Sequence, residues 1–376
     1  MNYIRPTRLE INLNTLKRNF EAINKFKNTN TKICAVVKSN AYGCGLYEIA
    51  KASLEFGAEY IAVAILDEAI YLRSKGIDAP ILILGYTPIN DLDIVVDLGL
   101  TQTIFDIKSV KELSRLSKYK GKISKIHIKI DSGMNRIGFQ INEVLVEKIC
   151  EIADLNNIEI EGIYTHLSKV YDGDKKFTLL QIYRFMDILK RVDNEKIYIP
   201  IRHMLSSGGF LEYPEYQLDM VRLGCLIYGL YPPCTTIGKI ENEAVFTFKT
   251  KIAMIKSVLE GQQISYSGVF TTKRDSIIAT LPVGYCDGLP RRLSSKGRVL
   301  INNRFAPIIG NICMDMCMVD ITNIDGVEVG TDVILIGKSD GKEISLLDIN
   351  DIVKSVRTEI ISQISRRVPR VYLETK

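Results

Sequence analysis

The sequence predicts a (β/α)8 barrel followed by a mostly β domain. Three observations carry that prediction. Eight strand-like segments recur between residues 32 and 222. Helical patterns separate most of them, and strict alternation of this kind argues for parallel strands joined by helical crossovers. Beyond Pro232-Pro233 the pattern changes to short, alternating, turn-bounded segments, the signature of a β domain.

In chain order, strands are expected at 32–37, 60–64, 81–84, 101–105, 125–130, 159–165, 198–203 and 219–222. Helices are expected at 46–56, 67–75, 89–98, 107–118, 142–155 and 177–192, with Asp67 placed to cap the second of these. Eight strands close a barrel. The last connections are shorter, which leaves the count open by one strand. The barrel domain is placed at 1–236 and the β domain at 237–376. In the β domain, strands are expected at 247–259, 263–266, 276–281, 298–301, 304–309, 316–321 and 332–336, and one helix at 345–356.

Composition bounds the function. The chain has 376 residues, 46% hydrophobic and 25% charged, as ordinary globular proteins do. A net charge of +5 is too mild for a nucleic-acid binder and suits small anions. The longest apolar runs, such as 81–85, are strand-sized, so no membrane span is expected. The N-terminus lacks a signal-peptide core, and a cytoplasmic location is expected. Eight cysteines include no CxxC pair, and only three histidines are present, at 127, 166 and 203. Reduced thiols fit better than a zinc site, and no metal is expected.

In such a barrel the active site lies at the carboxyl ends of the strands. Those ends carry Lys38, then Asp131 to Arg136, His166, Ser206-Ser207-Gly208-Gly209 and Arg222 with Gly224. Read alone, Lys38 fits either a lysine snorkelling to solvent or a desolvated amine able to form a Schiff base. The Ser-Ser-Gly-Gly turn offers hydroxyls and free amides where barrels often bind phosphate. A Schiff-base lysine and a phosphate site on one rim suggest pyridoxal 5'-phosphate.

Over essentially its whole length the sequence resembles the alanine racemase family, fold-type III pyridoxal-phosphate enzymes. The resemblance is carried by Ala35-Val36-Val37-Lys38-Ser39-Asn40-Ala41-Tyr42-Gly43-Cys44-Gly45 and Lys129-Ile130-Asp131-Ser132-Gly133-Met134-Asn135-Arg136-Ile137-Gly138. It continues through Thr165-His166, Val221-Arg222-Leu223-Gly224, Tyr228-Gly229, Ser265-Tyr266 and Pro282-Val283-Gly284-Tyr285-Cys286-Asp287-Gly288. Gly310-Asn311-Ile312-Cys313-Met314-Asp315 and Ser365-Arg366-Arg367-Val368-Pro369-Arg370-Val371-Tyr372 complete it.

The resemblance implies Lys38 as the cofactor lysine and one of two bases. Tyr266 is the second base, supplied by the other subunit of a homodimer, with His166 as its partner. Racemisation needs one base on each face of Cα, and a tyrosine of ordinary pKa about 10 needs help to serve near neutrality. Arg222 is implied at the cofactor ring nitrogen. An arginine cannot accept that proton, so the nitrogen stays largely neutral and side reactions such as transamination are suppressed. Arg136 is implied to orient the substrate carboxylate or the tyrosine, and Lys129 matches a lysine that is carbamylated in many members. Tyr42, Ser207 and Gly224 are implied phosphate ligands, and Tyr285, Met314 and Asp315 line the substrate entrance. The expected reaction is L- to D-alanine interconversion, which supplies D-alanine for peptidoglycan.

Several positions depart from the family pattern. Cys44 stands where histidine is usual, Ser206 where asparagine is usual, and Ser168-Lys169-Val170-Tyr171 replaces a small, acidic motif. Thr358 replaces a tyrosine that touches the phosphate and limits the substrate pocket. Lost bulk there points to a larger or more polar substrate, serine first and then basic amino acids. Two other classes compete. A fold-type III decarboxylase would carry a glutamate at the ring nitrogen and lack the Arg222 and Tyr266 motifs. A non-catalytic pyridoxal-phosphate carrier would not need the second domain.

Overall fold

The computed structural model describes residues 4–172, 174–231 and 238–374. The Pro232-Pro233 boundary, with the division at 236/237, lies outside the described residues. The chain forms two compact units. One comprises Leu16–Ala41 and Leu46–Glu243, and the other comprises 4–15, Tyr42–Gly45 and 244–374.

The first unit is a nearly closed parallel barrel. Its strands are β1 (Lys32–Val36), β2 (Tyr60–Val63), β3 (Ile81–Ile83), β4 (Thr101–Ile104), β5 (Ser124–Asp131), β6 (Ile158–Tyr164), β7 (Ile201–His203) and β8 (Met220–Leu223). The hydrogen-bonded order runs β8-β1-β2-β3-β4-β5-β6-β7. Between β7 and β8 the ladder thins to a bridge from Ser206 to Arg222, with the Arg222 amide donating to Leu205 at 3.0 Å. All eight expected strands are present. Most were readable because a parallel sheet covered on both faces reads as a buried, mainly apolar run; β2 fits this, whereas β4, Thr-Gln-Thr-Ile, is buried throughout although three of its four residues are polar. Ile33, Ile61, Ile83 and Ile128 are fully buried, and each such side chain contributes about 1.5–3 kcal/mol.

The helices follow their expected places with one correction. Asp67 does not cap its helix. That helix is Leu66–Ser74, Ile65 stands at its N-cap, and no side chain closes it. Asp67 and Glu68 instead lie in the first turn, where they favour the positive end of the helix. The side chain of Asp106 does cap Ile107–Tyr119, accepting from the Ser109 amide at 2.7 Å. No helix among the described residues is long and apolar enough to cross a membrane.

The second unit is mostly sheet. Its strands run Met254–Val258, Ser276–Leu281, Cys317–Asp320, Arg304–Ile309, Arg298–Ile301, Asp332–Ser339, Phe246–Lys251, Arg8–Asn12 and Arg370–Leu373. The segment expected as one strand at 247–259 is two. Its backbone changes partners at the break: the Ile252 amide donates to Thr331 and that of Ala253 to Thr280. The expected 263–266 strand stops at Ile264, and Tyr266 opens a 3-10 turn. The expected 345–356 helix is Leu346–Val353, capped by Ser345 and ended by Lys354 in the left-handed region. Arg8–Asn12, the helix Leu13–Phe26, the helix Arg357–Ser362 and Arg370–Leu373 are additional to the sequence prediction. The described cysteines are free, with Cys34, Cys44 and Cys317 buried.

Tyr42–Gly45 belongs to this second unit through backbone contacts. Arg370 Nε donates to the Gly43 carbonyl at 2.8 Å, and the Tyr372 hydroxyl to that of Cys44 at 3.0 Å. Gly43 has φ +88°, and a Cβ there would lie 2.6 Å from the Ile361 carbonyl oxygen. Both the backbone angle and the close approach require glycine. Gly43→Ala is expected to cost about 1–3 kcal/mol, read as a lower guanidinium midpoint with an unchanged slope. An unaltered midpoint would contradict this reading.

Candidate active site

The barrel mouth is built around two cations, Lys38 and Arg222. Lys38 opens a left-handed helical turn, Lys38–Tyr42. Ser39, Asn40 and Ala41 have φ/ψ of 56/50°, 55/44° and 53/51°, and Tyr42 has φ 55°. Such a run of L-residues costs roughly 1–2 kcal/mol per residue. Local bonds hold it. The Ala41 amide donates to Val37 at 2.7 Å, and the Asn40 side chain accepts from the Leu46 amide at 3.0 Å. Glu68 accepts from the amides of Asn40 at 3.2 Å and Ala64 at 2.9 Å. Strain stored this way fixes the direction in which Lys38 leaves β1. The Lys38 side chain is partly buried. Burial lowers its pKa, the charge of Arg136 lowers it further, and Glu68 and Cys225 oppose them.

Arg222, on β8, is buried. Its Nη1 lies 2.6 Å from His203 Nδ1. Its Nη2 donates to the carbonyls of Thr165 at 2.8 Å and Met204 at 3.2 Å, and lies 3.2 Å from His166 Nδ1. The guanidinium carbon sits 4.8 Å from the centre of the Tyr164 ring, which stacks on His203 at 4.6 Å. None of these partners is a carboxylate. Among the described residues, Nε–H has no protein acceptor. Burial lowers the Arg222 pKa to about 10, which leaves it cationic near neutrality.

That cation shapes its neighbours. Burial, then the charge of Arg222, hold His166 and His203 well below the ordinary histidine pKa. Lys129 is buried on β5. Its Nζ donates to Ile130 at 3.0 Å and lies 5.0 Å from the Tyr164 ring centre. Burial, Arg222 and Arg136 push its amine down to about 7, against Asp131. Arg136 is exposed on the loop after β5, which Asp131 braces by accepting from the amides of Gly133 and Asn135 at 2.9 and 3.0 Å. Ser207 Oγ accepts from the amides of Gly224 at 3.1 Å and Leu226 at 3.3 Å, tying the loops after β7 and β8 together.

The second unit holds Tyr42, Tyr266, Tyr285, Met314, Asp315 and Thr358. Tyr266 is 70% exposed, and its carbonyl accepts from Asn311 Nδ2 at 2.9 Å. The Tyr285 and Cys286 amides donate to Cys313 and Met314, both at 3.1 Å, so two of the recognised motifs lie side by side. Buried Asp287 pairs with Arg5 at 2.6 Å and Arg367 at 2.7 Å, and Arg367 also reaches Asp315 at 2.5 Å. Thr358 is partly buried on Arg357–Ser362.

The structure therefore gathers Lys38, Lys129, Arg136, His166, Ser207, Arg222 and Gly224 on one barrel. It also adds residues that sequence reasoning did not assign: Glu68, Tyr164 and His203. For His203 the signal was its rarity, since all three histidines of the chain fall on this barrel.

Fold and mouth together define a (β/α)8-barrel enzyme with a cationic, carboxylate-poor rim and an appended β unit. Comparison with known proteins narrows the class. Residues 11–232 match the family described as alanine racemase, N-terminal domain, and residues 245–372 match alanine racemase, C-terminal domain. The chain is 44% identical over 370 residues to alanine racemase 2 of Caldanaerobacter subterraneus subsp. tengcongensis, covering 98% of this chain and 95% of that one. It matches the solved alanine racemase of Clostridium difficile 630 with a TM-score of 0.94 and 36% identity, covering 99% of this chain and 97% of that one. It also matches a histidine racemase from Leuconostoc mesenteroides subsp. sake, with a TM-score of 0.89 and 26% identity over 99% of each chain. The chain belongs to the alanine racemase family and is an amino-acid racemase.

The histidines set an acid limit on stability. Their folded pKa values lie below the unfolded value of about 6.5. The unfolded chain therefore binds more protons than the folded one as pH falls through about 6.5, and stability falls with it. The denaturation midpoint of the cofactor-free protein is expected to drop between pH 8 and pH 5.5. A midpoint level across that range would contradict the assignment.

Proposed function

We propose that the protein interconverts L- and D-alanine with pyridoxal 5'-phosphate, using Lys38 and Tyr266 as bases on opposite faces of Cα. The observation that carries this reading is the barrel mouth itself: a desolvated lysine shares it with a buried arginine that touches no carboxylate. The donors fit the cofactor. Arg222 Nε–H is free for a neutral ring nitrogen, Lys38 suits the aldehyde, and Ser207, Gly224 and Tyr42 suit the phosphate. Bound there, the cofactor would acidify the Cα–H of an amino acid.

The chain's own residues do the rest. Lys38 holds or takes the proton on one face. Tyr266 does so on the other, helped by His166, which stays neutral beside the cations. Arg136 orients the substrate carboxylate. Lys129, with a pKa of about 7, keeps a substantial fraction of free amine at neutral pH. Free amine adds CO2 to form a carbamate, releasing a proton, and the resulting anion would hold Arg136. Tyr285, Met314 and Asp315 line the substrate entrance.

Tyr266, Met314 and Met316 are 70%, 51% and 51% exposed on the second unit. An exposed base and exposed apolar side chains on the same unit support a homodimer in which each subunit completes the other's site. D-alanine for peptidoglycan is the proposed product role.

A second reading concerns the substrate. Thr358 is smaller than the tyrosine of the family pattern, and the histidine racemase relative shows this fold serving a large side chain. Apolar pockets discriminate a methylene by only about 1–3 kcal/mol, so relaxed acceptance of serine or basic amino acids fits. Racemisation of an L-amino-acid panel by the purified, cofactor-loaded protein tests both readings. Alanine is expected to turn over, and Thr358→Tyr to lower the rate on serine relative to alanine. No racemisation of any amino acid would sink the proposal. In 13C-bicarbonate, the wild type is expected to show one carbamate signal that Lys129→Ala lacks. A wild-type spectrum without it would remove the carbamate from the account.

A further inference from the structure

A line of buried polar groups leads away from the mouth, through the barrel interior. Arg222 Nη1 meets His203 Nδ1 at 2.6 Å, and His203 Nε2 meets His127 Nδ1 at 2.9 Å. His127 Nε2 lies 3.4 Å from Glu161 Oε2, close enough for strong attraction but not aligned as a hydrogen bond. Both imidazoles are fully buried, and Glu161 is 4% exposed. At the far end, Glu161 accepts from Lys125 Nζ at 2.7 Å and Thr101 Oγ1 at 3.2 Å. Lys125 is half exposed and marks the way out to solvent.

Two features of β6 make room for this line. The β5–β6 pairing shifts register, with Ile126 opposite Ile160 but His127 opposite Gly162, so Glu161 has no residue across from it. Such a bulge re-aims a side chain. Next to it, a Cβ on Gly162 would lie 2.6 Å from the His127 ring, so only glycine admits the imidazole.

The chemistry of the ends fixes the direction of the whole line. Arginine only donates, so His203 Nδ1 must accept and its Nε2 must carry the proton. His127 Nδ1 then accepts, and its proton sits on Nε2, the ring nitrogen on the Glu161 side. Protonating His203 would set like charges against Arg222 and Lys129; for His127, Glu161 favours the charged form while Arg222 and Lys125 oppose it. Burial already disfavours the charged form of both rings. Burial raises Glu161, but the attraction of nearby His127 and the bond from Lys125 outweigh it and bring it to about 2, so the acceptor end stays anionic.

We propose that Glu161, His127 and His203 form a one-way relay that pins Arg222 Nη1, so that Nε–H stays aimed at the cofactor site. His127 and Glu161 are then positioning residues for a site they do not touch. The link to the cofactor rests on the function proposed above, whereas the direction of the relay does not.

The test begins with the cofactor-free wild type, labelled with 15N-histidine. Three histidines give three resolvable ring-nitrogen pairs. His127 and His203 are expected as neutral rings protonated at Nε2 from pH 6 to pH 8, with a coupling across the Nε2–H···Nδ1 bond. Protonation at Nδ1 of either ring, or an imidazolium in that range, would overturn the relay. In Glu161→Gln the fixed acceptor is lost, because an amide also donates. Arg222 still sets the tautomers, so the His127 Nε2–H proton signal should instead move upfield as its anionic acceptor is removed, and pyridoxal 5'-phosphate should bind about tenfold more weakly. Glu161→Asp should recover part of both effects. A Glu161→Gln protein with the wild-type His127 Nε2–H shift and wild-type cofactor affinity would refute the positioning role. Wild-type protein with the expected tautomers but no cofactor binding would refute the proposed function and leave the relay standing.

Discussion

A buried guanidinium without a carboxylate is the constraint on which this barrel depends. Burying a charge is expensive unless it is fully hydrogen-bonded. Arg222 is compensated by two carbonyls, two imidazole nitrogens and the face of Tyr164. Each partner is neutral, so the positive charge remains a net charge of the mouth. Together with burial it holds His166 and His203 in their uncharged forms and lowers the Lys129 amine to about 7. The mouth can thereby combine neutral bases with a strong positive field, which suits an anionic cofactor and an amino-acid carboxylate.

The second constraint is strain. Four consecutive non-glycine residues after Lys38 lie in left-handed space, and the cost is met by amide bonds to Glu68 and Asn40. The lysine therefore leaves a rigid strand on a rigid turn, close to the cation that lowers its pKa. Stability has been exchanged for placement, as functional sites often require. The two constraints meet electrostatically, because Arg136 acts on both Lys38 and Lys129.

Much of this was legible in the sequence, for physical reasons that differ between regions. Most barrel strands were readable because apolar runs of strand length have few other uses, and Thr101–Ile104 and Ile201–His203 by their place in the alternation. Lys38, His166, Ser207 and Arg222 were readable because their strand ends place them on one rim. The left-handed turn was invisible: Ser39, Asn40, Ala41 and Tyr42 include no glycine to announce positive φ. The break at Ile252-Ala253 carries no proline or glycine either. The sequence reading assigned nothing to Glu161, because a bulge is a property of pairing rather than of one strand. Asp67 had the chemistry of a cap but sits two residues past the N-cap position. Arg8–Asn12 and Arg370–Leu373 are strands that exist through their long-range partners, which no local pattern reveals.

The central claim is that one proton is exchanged at Cα by Lys38 of one chain and Tyr266 of another. Mixing two inactive variants tests it most directly. Lys38→Ala and Tyr266→Phe are each purified, mixed in equal amounts, dissociated and reassociated. In a mixed dimer with shared sites, one site carries both substitutions and the other carries neither. About half the dimers are mixed, so about a quarter of wild-type alanine racemisation should return. If the mixture stays as inactive as its parents while mixed dimers form, the two bases do not come from different chains, and the account fails.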